Sequence, residues 1–303
     1  MDLQERKMDK RLQILISAVK KDAKDLPERM NLQSSAVIVD QIIGDEYKRK
    51  TGFCGNVEET VIYKEHTVKI LLKDEKGVGL SRNTALDNSA EDAEIIQFGD
   101  DDIVYDDGYV QKVIDEFDRH PEADILLFNV KAQEGRETYW NQDFAKVKWH
   151  NYGRYPAYAI CARRGSLLKS GVRYSLLFGG GAPYMNGEDS LFLHDCLKAG
   201  LNLYRTTTVI GHETPGESTW FKGYGEKFFF DRGVLYHFLY GKMAHVWGAR
   251  YLIKNRKEMC KEFGLLKSIG LLYKGIRHGN SLPDAYGSND STFAADKGKK
   301  NSI

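Results

Sequence analysis

Asp100, Asp101 and Asp102 stand in a row after the apolar run Ile95-Ile96-Gln97-Phe98 and a single glycine, Gly99. Adjacent carboxylates repel one another unless a cation sits among them. Oxygen ligands suit a hard ion such as Mg²⁺ or Mn²⁺, which keeps some water and takes up phosphate oxygens. A second acidic pair, Glu188-Asp189, opens the helical pattern Ser190 to Lys198. A carboxylate there can accept a proton as general base; it also suits the positive end of a helix. Arg82 and Asn83, near the start of another helical segment, can offer a guanidinium and helix N–H groups to a phosphate. His212 follows the strand pattern Leu203 to Ile210 and could supply an imidazole ligand. Each signal also has a plain reading: a solvated acidic turn, a capped helix end, a surface histidine.

Such residues need a frame that brings them together. Short apolar runs at Leu12 to Ile16, Ala36 to Val39, Val68 to Leu72, Glu94 to Phe98 and Asp124 to Val130 read as strands. A helix starting near Ser81, capped by Ser81 or Gly79, lies between the third and fourth runs. Tyr109, Val113, Ile114 and Phe117 recur at helical spacing between the fourth and fifth. Strands alternating with helices predict an α/β domain with a mainly parallel, Rossmann-like sheet and flanking helices. Ligands of such sheets bind beyond the carboxyl ends of the strands, where Asp40, Asp74 and the aspartate triplet all fall. Tyr139, Trp140, Trp149, Tyr152, Tyr155 and Tyr158 can either stack on sugar faces or pack a core.

The 303 residues, 42% hydrophobic and 29% charged, have ordinary globular usage and a formal net charge of +1. The mean hides an asymmetry. From Tyr240 to Asn280 there are nine Lys and Arg against two acids, a net +7 on helix-like sequence. Basic helices with apolar faces fit an anionic membrane surface or a solvated face, and none of the usual nucleic-acid motifs is present. Cys54, Cys161, Cys196 and Cys260 form no CxxC pair, so a zinc site is not expected and the thiols read as reduced. The charged N-terminus is not patterned as a signal peptide. No run approaches the roughly 20 apolar residues of a spanning helix. These features predict a cytoplasmic protein, soluble or peripheral at the inner face of the membrane.

Taken in order, Gly77-Val78-Gly79-Leu80-Ser81-Arg82-Asn83-Thr84-Ala85-Leu86, the Asp100 to Asp102 triplet, Glu188-Asp189 and His212 carry a resemblance. The chain resembles the family 2 glycosyltransferases of the GT-A fold, in particular bacterial members that build capsular or exopolysaccharide repeat units. The resemblance covers Leu12 to Phe221 or thereabouts. It implies a GT-A domain over residues 11–221, after an N-terminal extension (1–10); composition sets apart a C-terminal basic helical extension (222–280) and a polar, poorly patterned stretch (281–303) that reads as a disordered tail. It further implies a metal-dependent inverting transfer of a sugar from a nucleotide-diphosphate sugar, a UDP-sugar first among them, to a hydroxyl of a saccharide acceptor that is lipid-linked.

By the same resemblance Asp189 is the general base, with Glu188 beside it. Asp102, Asp100 and His212 would hold Mn²⁺ or Mg²⁺, while Ser17, Asp40, Arg82, Asn83, Asp100 and Asp101 would contact the nucleotide sugar. Three consecutive aspartates leave the phase of the DxD-type motif open, so Asp101 can replace either neighbour. Asp40 is followed by Gln41-Ile42-Ile43-Gly44-Asp45 in place of the common Asp-Gly-Ser run, which leaves the nucleobase open. Trp220 and Phe221 would lie in a closing segment or act as a packing anchor. Two other classes stay open: a non-catalytic sugar-nucleotide or metal-binding module, and a nucleotidyltransferase. The latter is disfavoured because Ser17-Ala18-Val19-Lys20-Lys21 contains no phosphate-loop glycine.

Overall fold

The computed structural model describes residues 11–216 and 223–286. The expected N-terminal extension, the segment Ser218 to Phe221 with Trp220, and residues 287–303 of the tail lie outside the described residues. The chain divides into two compact units: Met1–Tyr174 with Glu188–Thr219, and Ser175–Gly187 with Trp220–Ile303.

The first unit runs β1 (Leu12–Val19), α1 (Leu26–Arg29), β2 (Ser35–Gln41), α2 (Asp45–Thr51), β3 (Val57–Tyr63), β4 (His66–Lys73), α3 (Val78–Asp87), β5 (Ile95–Asp100), β6 (Ile103–Tyr105), α4 (Tyr109–Arg119), β7 (Ile125–Lys131), β8 (Ala145–Lys146), β9 (Ile160–Arg163), α5 (Arg164–Ser170), α6 (Glu188–Lys198) and β10 (Leu203–Glu213). The strands form one ten-stranded sheet in the order β3-β4-β2-β1-β5-β9-β7-β10-β6, with β8 on β10. β4, β2, β1 and β5 are mutually parallel, as β7 and β10 are. β3, β6, β8 and β9 are antiparallel to their neighbours. The result is an α/β fold with a mostly parallel central sheet.

Burial explains the order. In β1, Leu12, Ile14, Leu15 and Ile16 are all fully buried, the near-continuous apolar pattern of a strand covered on both faces. β3 instead carries Glu58 and Glu59 and buries no residue, as expected for an edge strand whose charges discourage further pairing. β9 is only four residues long and sits among tyrosines and glycines, so sequence pattern gives it no signature, yet it fills the gap between β5 and β7. Four of the tyrosines in that stretch, Tyr139, Tyr152, Tyr155 and Tyr158, are buried, whereas Trp140 and Trp149 are exposed.

The register sets the site. Across β1, Ala18 lies opposite Asp40 of β2, and Ser17 lies opposite Asp100 of β5. Two aspartates from different strands thus flank the carboxyl end of β1, one rung apart. Gly99 is required just there: a Cβ on it would stand 2.8 Å from the Tyr105 hydroxyl and 3.3 Å from Ile14 Cγ2. The α3 helix starts earlier than expected. Its N-cap is Gly77, at φ 126°, and both Gly79 and Ser81 lie inside the helix, buried against the sheet. Glycine adopts that dihedral without steric cost, which is why it and not a hydroxyl residue begins the helix.

The second unit is helical: α7 (Glu226–Tyr240), α8 (Ala244–Lys254), α9 (Arg256–Met259) and α10 (Gly264–Gly279). Its core gathers Phe228, Phe229, Tyr236, Leu252, Met259, Leu272 and Ile276. α7 and α10 cross with their backbones nearly touching. A Cβ on Gly233 would meet the Leu272 carbonyl oxygen at 2.0 Å, and one on Gly275 would meet the Phe230 carbonyl oxygen at 2.0 Å. Only glycine at both positions permits that approach. No helix among the described residues is long and apolar enough to cross a membrane.

Candidate active site

The site of the first unit is organised around Arg82, in the middle of α3. Its side chain is almost wholly buried, a costly place for a charge unless it is paired. The guanidinium donates to Asp100 Oδ1 through Nη2 and to Asp189 Oδ1 through Nη1, each at 2.8 Å. Glu188 Oε1 lies 3.7 Å from the same Nη1. The ring of Tyr174 lies 5.0 Å from the guanidinium carbon and itself stacks on Phe192 at 4.2 Å. Phe98, on the triplet's own strand, meets both rings edge-on. An aromatic wall thus holds the fork in place while it joins the end of β5 to the start of α6.

Asp189 has a second anchor: Oδ2 accepts the Ala157 N–H at 3.1 Å. Burial pushes its carboxyl up; Arg82 pulls it back down, and the neighbouring Glu188 and Asp100 add to the rise. A carboxylate raised toward neutrality is a stronger base than an ordinary aspartate, which is what general-base work at neutral pH needs.

The remaining acids are placed differently. Asp101 Oδ2 has Lys21 Nζ at 3.8 Å. Asp102 is exposed at the site's edge and has no cation within ion-pair distance among the described residues. Burial of its carboxylate group, then Asp100, Asp101 and Glu213, push it up to about 6. Asp40 is fully buried and accepts the Lys21 N–H at 3.2 Å, on a turn where Lys20 takes a left-handed φ of 55°. Burial pushes Asp40 up to about 6, partly offset by the N–H groups of Lys21 and Lys20.

Two residues expected at the nucleotide are otherwise engaged. Ser17 donates its hydroxyl to Ser81 at 2.8 Å in the buried seam between β1 and α3. Asn83 uses both ends of its amide on the backbone of Tyr174, donating to its carbonyl and accepting its N–H, each at 2.9 Å. These contacts fix α3 to the sheet and to the end of the segment that supplies Tyr174.

His212 pairs with Val104 across β10 and β6, and its Nδ1 is 3.9 Å from Asp106. Strand alternation puts the next residue, Glu213, on the opposite face, where it faces Asp102. Glu213 accepts the Tyr158 hydroxyl at 2.5 Å and the Gln133 N–H at 3.0 Å. Sequence reading missed Glu213, for which strand parity past Ile210 was the available signal, and named Tyr158 only among rings that stack on sugars or pack a core. Among the described residues no group of three or more His, Cys, Asp and Glu side chains is arranged to hold a metal. The donor chemistry at Asp102 nevertheless fits a hard ion of the kind that leaves much of its shell to water and phosphate. It does not amount to a closed protein cage.

Residues 56–171 match the model of the family described as Glycosyl transferase family 2. Among solved structures, the chain is similar to the crystal structure of S. aureus TarS, at 15% identity and a TM-score of 0.52 over 85% of this chain. It is also similar to that of S. aureus TarS 1-349, at 12% identity and a TM-score of 0.51 over 90% of this chain and 72% of that one. The chain spans only 44% of the longer TarS chain. At such identities the likeness concerns the fold, and it agrees with the α/β architecture above. No curated protein sequence matches the chain.

Proposed function

We propose that this chain is a glycosyltransferase that moves a sugar from a nucleotide-diphosphate sugar to a saccharide hydroxyl with inversion. The observation that carries this reading is the Arg82 fork, which unites the strand-end acid Asp100 with the helix-start acid Asp189 at 2.8 Å each. The Glycosyl transferase family 2 match includes Arg82 and the aspartate triplet and so supports it.

In the proposed reaction Asp189 accepts the proton of the acceptor hydroxyl as that oxygen forms its bond to the anomeric carbon. The bond from that carbon to the diphosphate oxygen breaks, and its electron pair leaves with the nucleoside diphosphate. Arg82 and the Ala157 N–H hold Asp189 in one orientation throughout. The carboxyl of Asp102, rather than that of the Arg82-paired Asp100, would hold Mg²⁺ or Mn²⁺, which when bound would offset charge on the leaving diphosphate. Asp40, Lys21 and Asp101 line the strand ends where the nucleotide would lie. The finer reading is a UDP-sugar donor and a lipid-linked acceptor in surface polysaccharide synthesis, supported by the motif resemblance alone.

Asp189→Asn tests the base. We expect transfer to fall by about 10²–10⁴-fold, with sugar-nucleotide binding retained in calorimetry. Unchanged transfer would remove Asp189 from the chemistry, whereas sugar-nucleotide binding with no transfer by the wild type would favour a binding module. Asp102→Asn tests the ion: Mn²⁺ should raise the melting temperature of the wild type in the presence of nucleoside diphosphate, and not that of the variant.

A further inference from the structure

The second unit carries a surface stripe that the proposed chemistry does not use. Helix α8 buries Ala244, Gly248 and Leu252, spaced four apart, with Tyr251 half-buried beside them. The opposite side shows Met243, Val246, Trp247 and Ile253, which are 50%, 56%, 45% and 46% exposed. Lys242, Arg250 and Lys254 are exposed among them. Positions 243, 246, 247, 250, 253 and 254 share one helical face at the 3.6-residue period, and no acidic residue falls between 242 and 257. Arg250 leans over Trp247, its guanidinium carbon 5.9 Å from the ring centroid. The ion pairs of this unit, Lys227–Asp231 and Lys267–Glu226, lie elsewhere. Among the described residues the cations of the stripe have no carboxylate partner.

A stripe of apolar side chains would be expected to bury itself in the core, and a stripe of cations to stay solvated; here they interleave on the outward face. Basic side chains can extend their heads toward phosphate while their stems and the neighbouring apolar groups enter the headgroup boundary. Tryptophan prefers that boundary, where one end of the ring is apolar and the other wet. We propose that this face of α8 docks the protein on an anionic phospholipid surface, with Val246, Trp247 and Ile253 entering the interface and Lys242, Arg250 and Lys254 contacting headgroup phosphates. Charge selects this occupant over a second copy of the chain. Two such stripes facing each other would oppose cation to cation with no acid between them.

The test is co-sedimentation of the full chain with vesicles of phosphatidylcholine alone or mixed with phosphatidylglycerol. Binding is expected only to the mixed vesicles at low salt, with release at high salt. Lys242→Glu, Arg250→Glu and Lys254→Glu should each weaken it at least roughly fivefold, since loss of one basic residue near the surface alone corresponds to about 1 kcal/mol and the reversal adds a repelled carboxylate. Brominated lipid should quench wild-type fluorescence more than that of Trp247→Phe. These positions are exposed, so the variants should keep the wild-type melting temperature, which is measured alongside. Equal binding to neutral vesicles, binding unaffected by the three reversals, or quenching that ignores Trp247→Phe would each overturn the assignment. So would self-association in lipid-free sedimentation that Trp247→Ser abolishes, or capture of soluble polyphosphate as tight as that of vesicles and indifferent to Trp247→Ser.

Discussion

Asp100 and Asp102 leave the same strand end two residues apart, and their surroundings are opposite. Asp100 shares a buried guanidinium with Asp189, and an aromatic wall keeps that arrangement rigid. Asp102 meets solvent and other acids, with Glu213 and the rest of the triplet as its charged neighbours. One region has its charge balanced by the protein; the other has charge the protein leaves to something outside. The lesson is that a run of identical residues need not be one functional unit. Neutralised acids can hold a shape or a base, whereas surplus acids at a rim can take up a cation.

The sharpest way to break this comparison is to remove the balancing charge. Arg82→Met should leave Asp100, Asp189 and Glu188 crowded and unpaired, costing about 3–5 kcal/mol in urea unfolding, along with loss of transfer. If Arg82→Met unfolded at wild-type urea concentrations, the fork would not be what holds these acids. Arg82→Lys, which keeps charge but loses the two-pronged geometry, should recover part of the stability and little of the activity.

A smaller effect follows from Asp40. Its folded carboxyl sits at about 6, above the unfolded value of about 3.9. The native state therefore holds the proton more tightly than the unfolded chain does. For this group stability is greatest below about pH 4, declines as pH rises to about 6, and is level beyond. Two units correspond to on the order of 3 kcal/mol. Asp40→Asn should thus flatten the loss of melting temperature between about pH 4 and about pH 7; an unchanged profile would mean that Asp40 does not titrate there. Transfer should show the complementary trend, its rising limb lying above the ordinary carboxylate range because Asp189 is raised.

Tyr158→Phe should cost about 1 kcal/mol, the net worth of one hydrogen bond, by freeing Glu213 to move. Smallest of all, Asp102→Asn at neutral pH should raise the melting temperature slightly in the absence of metal, since the amide relieves a carboxylate that is partly desolvated and crowded by Asp100, Asp101 and Glu213. A marked destabilisation by Asp102→Asn would put Asp102 among the structurally balanced acids and erase the contrast with Asp100.

Much of this arrangement was legible in the residues. The buried strand patterns at Leu12, Ala36, Val68 and Glu94 placed Asp40 and the triplet at neighbouring strand ends, since inner parallel strands are apolar throughout and stop abruptly. The antiparallel strands β3 and β9 were not legible. β3 is charged because it lies on an edge, and β9 is too short for its period to register. Partners across more than a hundred residues, such as Arg82 with Asp189, also leave no local trace. Asn83 illustrates the point: its type suggested a ligand contact, whereas its amide is committed to a backbone 91 residues away.

Tyr174 is the residue at which the chain departs from the sheet unit, and Glu188 is where it comes back. Arg82 touches the ring of the first and the carboxylates that begin the second. Both stems of the excursion are thereby pinned to a single side chain, and Asn83 adds two bonds to the departing stem. The segment between the stems is itself packed within the second unit, where Phe178 is fully buried and the Met185 N–H donates to Asp231. A change of its length should therefore cost that unit stability while the two pinned stems keep the reactive carboxylate of Asp189 where it is.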